Sequence, residues 1–463
     1  MAQVLKRKLN QRERVHSKSV ASNISMIATI NGKVSPEVLR KVIHKMQKRH
    51  PILNAYLESK GKELFLLSNE ILEIPLKVIK RKEDMQWHEV IIQEHKIPFN
   101  MKQGPLIRFI LLHSPDISDL IIFCQHIICD GMSLAYLARD IMRHLANPSK
   151  QVELLPIPPI INENAIPDDI KPSLSTRLFS KIINKKWEKT EVLFDYDDFY
   201  ELHKAFWKKY SYKAHLYMLS KNDTDSLILA CRDHGVTVNS TLIASFAIAQ
   251  NQLNTNSPKY LRKYASAVDL RNILKNPIDE QFGFFAGGLE IKYKYSKNDT
   301  LWDAAKKIHK QAILEKAREK ALVKTLNNFY ISPTFMDAQI FGGFGELVPP
   351  NSKSYEKIND FISDDKNIVN KMVEKRLKEK FGLAQIMTNL GKSGFPEQYG
   401  DLILKNLILM PSCSPYTELV LGVITHGGTL SITLNHMEES ISSEKILKIQ
   451  EKANEIIMNA IKN

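Results

Sequence analysis

Asp119-Leu-Ile-Ile-Phe-Cys-Gln-His126-Ile-Ile-Cys-Asp130-Gly131 is the stretch on which the fold turns. Leu120 to Phe123 is an unbroken apolar run with β-branched and aromatic residues, the pattern of a strand buried on both faces. Gly131 ends the pattern. Beyond it Leu134, Leu137, Ala138, Ile141, Met142 and Leu145 recur at helical spacing, with Arg139, Asp140 and Arg143 on the other face. The expectation is strand, tight turn, helix, with His126 and Asp130 in the turn. A histidine just past a buried strand can be held rigidly, one ring nitrogen aimed into a cleft, which is what a general base requires.

On the N-terminal side, Ser35 and Pro36 read as the cap and first residue of a helix whose apolar face is Val38, Leu39, Val42, Ile43 and Met46. Arg49-His50-Pro51-Ile52-Leu53 follows it, with His50 packing or capping the turn. Strands are expected at 26–31, 53–58, 63–68 and 106–112, and a helix at 87–93. Strands mixed with two long helices make this half an α/β sandwich. Residues 147–212, with Leu155-Pro156-Ile157-Pro158-Pro159, read as a connection or lid holding a basic helix near 176–188. Beyond it come a strand at 213–219, helices at 221–234 and 238–252 with Asn239 or Ser240 as a cap, a strand ending at Asp269-Leu270-Arg271, and Phe282-Gly283-Phe284-Phe285. A long helix at 298–320, a Lys-rich surface helix or insertion at 354–380, a short strand at 384–387, a hairpin around His426-Gly427-Gly428 and an amphipathic C-terminal helix complete the pattern. The boundaries are a first lobe at 1–150, a linker or lid at 151–212 and a second lobe at 213–463.

With 463 residues the chain can build more than one substantial core, and 43% hydrophobic with 25% charged residues is ordinary for a globular protein. Its apolar runs are strand-sized and its basic N-terminus lacks the apolar core of a secretory signal, so a cytoplasmic location is expected. The four cysteines suggest no disulfide framework. Cys124 and Cys129 bracket His126 without a further ligand nearby, so buried small side chains are expected rather than a metal site. The net charge of +14 suits a solvated lysine-rich surface or a phosphate-bearing ligand. No nucleic-acid motif accompanies it, so no nucleic-acid partner is expected; no transmembrane segment is expected either, and peripheral membrane contact stays open.

The His126-x-x-x-Asp130-Gly131 spacing in its strand–turn–helix setting resembles the signature of the CoA-dependent acyltransferase superfamily, which includes chloramphenicol acetyltransferase and condensation domains. Further strings resemble that family: Arg49-His50-Pro51-Ile52-Leu53, Gly104-Pro105-Leu106-Ile107-Arg108, Gly235-Val236-Thr237-Val238-Asn239, Asp269-Leu270-Arg271 before a Phe-Gly segment, and Thr388-Asn389-Leu390-Gly391. The segment Leu9 to Arg14 is similar to one that lies near the family's tunnel. The resemblance implies two chloramphenicol acetyltransferase-like α/β sandwich lobes with a tunnel between them.

It also implies an acyltransferase that moves an acyl group from a thioester to a hydroxyl or amine, with His126 as the catalytic base. The donor would be acyl-CoA or an acidic acyl-carrier protein bearing phosphopantetheine. That thioester is a co-substrate, no cofactor is bound permanently, and the acceptor is a small molecule of secondary or lipid metabolism. Asp130 would point away from His126 and pair with Arg271, or else only cap the following helix. Gly131 would keep the channel or the turn free of a side chain. Asn389 would orient substrate or steady an oxyanion, or else shape its loop. The family usually has a second histidine where Gln125 stands, which leaves Gln125 a supporting, substrate-orienting candidate. A free-standing condensation enzyme and a non-catalytic acyl- or carrier-binding module are the alternatives. No Gly-x-Ser-x-Gly elbow argues for a serine nucleophile.

Overall fold

The computed structural model describes residues 5–68, 70–172, 174–254, 258–378 and 380–462. The start of the basic N-terminus and residue 379 of the Lys-rich segment lie outside them. The N-terminal half contributes β1 (Leu5–Lys8), α1 (Gln11–Ser17), β2 (Asn23–Asn31), α2 (Pro36–Arg49), β3 (Tyr56–Lys60), β4 (Glu63–Ser68), β5 (Leu76–Lys80), α3 (Gln86–His95), β6 (Ile107–His113), β7 (Ile117–Gln125) and α4 (Gly131–Ala146). β7 is buried from Ser118 to Gln125, as its apolar run requires. The Ser35 hydroxyl accepts from the Val38 amide at the start of α2. The strand expected at 53–58 begins later, because Pro51–Asn54 forms a 3-10 turn first.

The connecting region is not an open linker. It holds α5 (Leu174–Trp187) and α6 (Tyr196–Lys209), and α6 buries Tyr196, Phe199, Leu202, Phe206 and Trp207 in the main core. Its capping box, Asp195 with Asp198, is a legible helix start that the proline-rich stretch before it obscured.

The second half supplies β8 (Tyr212–Leu219), α7 (Lys221–Asp233), α8 (Val238–Gln252), β9 (Lys263–Asp269), β10 (Ala286–Lys292), α9 (Leu301–Ala312), α10 (Leu314–Asn328), α11 (Pro333–Phe344), α12 (Tyr355–Ser363), α13 (Ile368–Leu377), β11 (Leu383–Lys392), β12 (Gln398–Tyr399), β13 (Leu402–Met410), β14 (Thr417–His426), β15 (Thr429–Met437) and α14 (Ser443–Lys462). The expected long helix at 298–320 is two helices that meet at Ile313, and the Lys-rich segment is two short ones. The start of α8 is capped by Thr237, whose hydroxyl accepts from the Ser240 amide at 3.2 Å, rather than by Asn239 or Ser240.

Two six-stranded sheets result. One runs β12-β13-β2-β7-β6-β5 and the other β10-β9-β11-β14-β15-β8. The boundary of 213–463 for the second lobe therefore needs correction. After β11 the chain leaves its own sheet, lays β13 antiparallel on β2 with Ile408 opposite Ile27, and returns as β14. β11 sits inside the second sheet, parallel to both β9 and β14. The crossover passes close over β14: a Cβ on Gly422 would lie 2.4 Å from the Leu409 carbonyl oxygen. The neighbour there is backbone and cannot swing aside. Gly422→Ala should therefore destabilise the protein by about 1–3 kcal/mol, read as a lowered thermal or urea midpoint, and an unchanged midpoint would contradict this account of the crossover.

Candidate active site

His126 lies one residue beyond β7, and its backbone amide donates to the Ser22 carbonyl at 3.0 Å. Its Nδ1 is 2.7 Å from the Cys129 carbonyl oxygen. A carbonyl can only accept, so Nδ1 carries the hydrogen and Nε2 keeps its lone pair. Burial, working against the Cys129 hydrogen bond and the nearby Asp130 charge, holds the imidazole below its usual pKa. It is neutral at pH 7, in the form a base needs.

Asp130 is bonded to other partners than that ring. Its two oxygens receive both terminal nitrogens of Arg271, at 2.9 and 3.0 Å. The same carboxylate accepts from the Ser133 amide at 2.8 Å, capping α4, and from the Phe285 amide at 2.9 Å. Capping and ion pairing, alternatives from the sequence, occur together. Burial pushes the Asp130 carboxyl up, but the Arg271 charge and these hydrogen bonds outweigh it and hold the group ionised. The network extends through Ser133, whose hydroxyl accepts from Arg271 at 2.8 Å and donates to the Gly283 carbonyl at 2.8 Å.

Gly131 lies at the seam between the halves. A Cβ there would meet Leu390 at 2.9 Å and Leu409 at 3.4 Å, both from the second half of the chain. The need for glycine is crowding across the seam; its φ lies outside the left-handed region, so turn strain is not the reason.

Two other candidates stand elsewhere. Gln125 is buried and hydrogen-bonded at both ends of its amide: its Nε2 donates to the His16 carbonyl at 3.0 Å and its Oε1 accepts from the Ile127 amide at 2.8 Å. It ties α1 to the turn carrying His126. The Asn389 Oδ1 accepts from the Gly391 amide at 2.8 Å, closing a local turn, while the neighbouring Thr388 lines the cavity.

The site contains a side chain that motif reading passed over. His16, near the end of α1, places its ring centroid 4.6 Å from that of His126, and Phe284 packs edge-on to both rings at 4.8 and 5.0 Å. Its Nδ1 is hydrogen-bonded to the Ser22 hydroxyl. Burial first, then His126 and Arg12, hold His16 well below its usual pKa. The available signal was helical: Arg12 and His16 are four residues apart and share a face. α1 is fixed from the second half of the chain. Gln11 donates to the Phe329 carbonyl at 2.9 Å, Arg12 to the Ala286 carbonyl, and both Arg14 and Lys18 pair with buried Asp337 at 2.8 and 2.7 Å.

Around these rings the halves enclose space. A cavity of about 380 Å³ is lined by Arg12, His16, His126 and Gly131 from the first half and by Ala265–Ala267, Ala286–Gly288, Lys324 and Thr388 from the second. A further cavity of about 460 Å³ lies beside Ser19, Ala21, Met336, Gln339 and Ser412–Thr417. The two share His16, Val15, Asn328, Ile386, Ser412 and Val420 as walls. Two chambers thus meet beside a pair of neutral imidazoles. Arg12 stands in the first, 5.1 Å over the Phe284 ring, with its Nη1 unpaired; burial lowers its pKa to about 10, so it stays cationic at neutral pH.

The profile of the condensation domain family matches residues 7–163, the span that holds α1, His126 and Asp130. Among solved structures, the chain is similar over its whole length to a polyketide synthase associated protein 5 from Mycobacterium tuberculosis, with a TM-score of 0.61 at 16% identity, covering 98% of each chain. It is similar to a trichothecene 15-O-acetyltransferase from Fusarium sporotrichioides, with a TM-score of 0.67 at 10% identity, covering 99% of this chain and 95% of that one. It is also similar to the condensation domain of the Monacolin K polyketide synthase, with a TM-score of 0.60 at 12% identity, covering 99% and 98%. No curated protein matches the chain by sequence.

The buried pair sets a stability expectation. Arg271→Met leaves Asp130 charged and unpaired between the halves and should cost about 3–5 kcal/mol. Adding Asp130→Asn should recover part of that loss. Thermal or urea unfolding of the two variants measures the coupling, and a single variant no less stable than the double one would contradict it.

Proposed function

We propose that the chain, similar to condensation domains and to acyltransferases of the same fold, transfers an acyl group from a thioester to a hydroxyl or amine acceptor. The observation that carries the proposal is the His126 imidazole, with Nδ1 committed to a carbonyl and Nε2 free, on the wall of a cavity that both halves enclose. Nε2 takes the proton from the acceptor O–H or N–H as that atom bonds to the thioester carbonyl carbon. The carbonyl oxygen becomes an oxyanion, and the positive charge of Arg12 on the same cavity wall stabilises it. The C–S bond then breaks, the thiolate takes the proton from the His126 imidazolium, and no covalent acyl-enzyme forms. Asp130 takes no part in proton transfer, since its oxygens are committed to Arg271, Ser133 and Phe285. Gln125 and Arg271 are positioning residues. His16 walls the junction of the chambers and meets substrate there.

The donor is acyl-CoA or an acyl-carrier protein, and phosphopantetheine is common to both. The condensation-domain match to residues 7–163 favours one second reading, an amide-forming enzyme that acts on carrier-bound substrates. CoA thioesters and carrier-bound thioesters, each offered alcohol and amine acceptors with products read by mass spectrometry, separate the two readings.

His126→Ala should lower turnover about 10²–10⁴-fold with the thermal midpoint preserved. His16→Ala should cost less, roughly tenfold, because the base remains. Full activity in His126→Ala would remove His126 as the base, and a wild type that turns over no thioester would leave a binding module of the same fold.

The base must be neutral, and burial lowers the pKa at which it protonates. The acidic limb of the kcat/KM profile should therefore fall below pH 6.5, with activity flat from there toward neutrality. An acidic limb centred at pH 7 or above would count against His126.

A further inference from the structure

Helix α5 turns an apolar arc toward solvent. Ser180, Ile183 and Trp187 form its inner face, and the Trp187 indole donates to the Thr334 hydroxyl at 2.9 Å. On the outer side Leu174, Leu178, Phe179 and Ile182 are 84, 61, 59 and 46% exposed. At about 100° per residue these four fall on one arc opposite the inner face. Residues 170–187 also carry Lys171, Arg177, Lys181, Lys185 and Lys186 and no acidic residue. Lys181 and Arg177 border the arc, and Lys185 and Lys186 close its C-terminal end.

We propose that α5 is a docking helix for an anionic lipid surface. A helix whose inner face is anchored to the protein and whose outer face projects large apolar side chains among cations has the physical form of an interfacial helix. The leucines, Phe179 and Ile182 would sink below the headgroups while the lysines stay at headgroup level, where their long stems let the charge remain hydrated. Charge complementarity selects this occupant: five cations with no acid among residues 170–187 match a surface of negative headgroups.

Docking would also bring the cavities to the lipid. The Asn184 side chain of α5 donates to the Tyr330 carbonyl at 2.8 Å and accepts from the Ser332 amide at 3.0 Å, so it grips the loop between α10 and α11. α10 supplies Lys324, Thr325 and Asn328 to the cavity walls, and α11 supplies Met336, Gln339 and Ile340. If the acyl-transfer reading holds, on which this last step alone rests, a membrane-dissolved amphiphile becomes a fitting substrate class.

The test uses the full chain and two vesicle populations, phosphatidylcholine alone and phosphatidylcholine with roughly 30% phosphatidylglycerol. The wild type should sediment with the mixed vesicles, stay in solution with the neutral ones, and be released by about 0.5 M salt. Leu178→Asp with Phe179→Asp should weaken binding to mixed vesicles at least about tenfold, and so should joint Gln replacement of Lys181, Lys185 and Lys186. These side chains are exposed, so the thermal midpoint and turnover of a water-soluble thioester should not change. That turnover assay keeps a failure of docking distinct from a failure of the acyl-transfer reading. A wild type that ignores mixed vesicles, binding indifferent to lipid charge, or binding retained in both variants overturns the proposal. So does a wild-type dimer, formed without lipid, that the same apolar substitutions disperse.

Discussion

The bidentate pair between Asp130 and Arg271 is the constraint on which the site depends. Two opposite charges are held out of water between the halves of the chain. Such a pair persists only when its remaining hydrogen-bonding capacity is met. Here the Ser133 amide, the Ser133 hydroxyl, the Phe285 amide and Asp269 complete most of it. One carboxylate therefore fixes three things: the turn after His126, the first turn of α4, and the strand entry at Phe285. Because Phe285 is fixed, Phe284 stands edge-on to both imidazoles. A second clamp on the same helix, Arg139 to Glu280 at 2.5 Å through both terminal nitrogens, holds the segment just before it. α4 is therefore the common anchor for the base and for the aromatic wall facing it.

The electrostatics of the rings follow from their packing. Each imidazole is deep in protein, near the other and near the Arg12 guanidinium. Desolvation and Arg12 both oppose a second positive charge on either ring, so both rings stay neutral while Arg12 keeps its own. The combination suits acyl transfer. A neutral base can take a proton, and a fixed cation nearby gains interaction energy only when negative charge develops on the carbonyl oxygen.

The local pattern around His126 was legible because it depends on short-range physics. An apolar run buried on both faces, a break at Gly131 and a helical stripe after it leave little freedom, and β7 and α4 follow them. The partnership of Asp130 with Arg271 came from motif resemblance, since no spacing links residues 141 positions apart. What escaped reading is non-local. β13 was not among the expected strands, and nothing in the apolar run of Leu402–Met410 says that it pairs with β2 rather than with its own half. α6 was hidden in a long stretch that reads as connection, although its buried aromatics are core. His16 carries no motif at all. It becomes part of the site only because α1 is carried across to the second half by Gln11, Arg12, Arg14 and Lys18.

That placement of α1 is the last link between sequence and chemistry. A seven-residue helix has too few internal hydrogen bonds to hold its own position. It is fixed instead by its capping box between Asn10 and Glu13 and by ties that run to α10, α11 and β10. Asp337 takes both Arg14 and Lys18, so one buried carboxylate sets the rotation of the helix about its axis. Rotation of α1 decides whether His16 faces Ser22 and His126 or turns away from them. The wall between the two chambers is in that sense made by a charge on α11, and the helices that carry this charge and the neighbouring wall residues are joined by the loop that α5 grips. α5 is thus joined both to that loop and, through Trp187 and Thr334, to α11 itself, the helix whose charge sets the wall between the chambers.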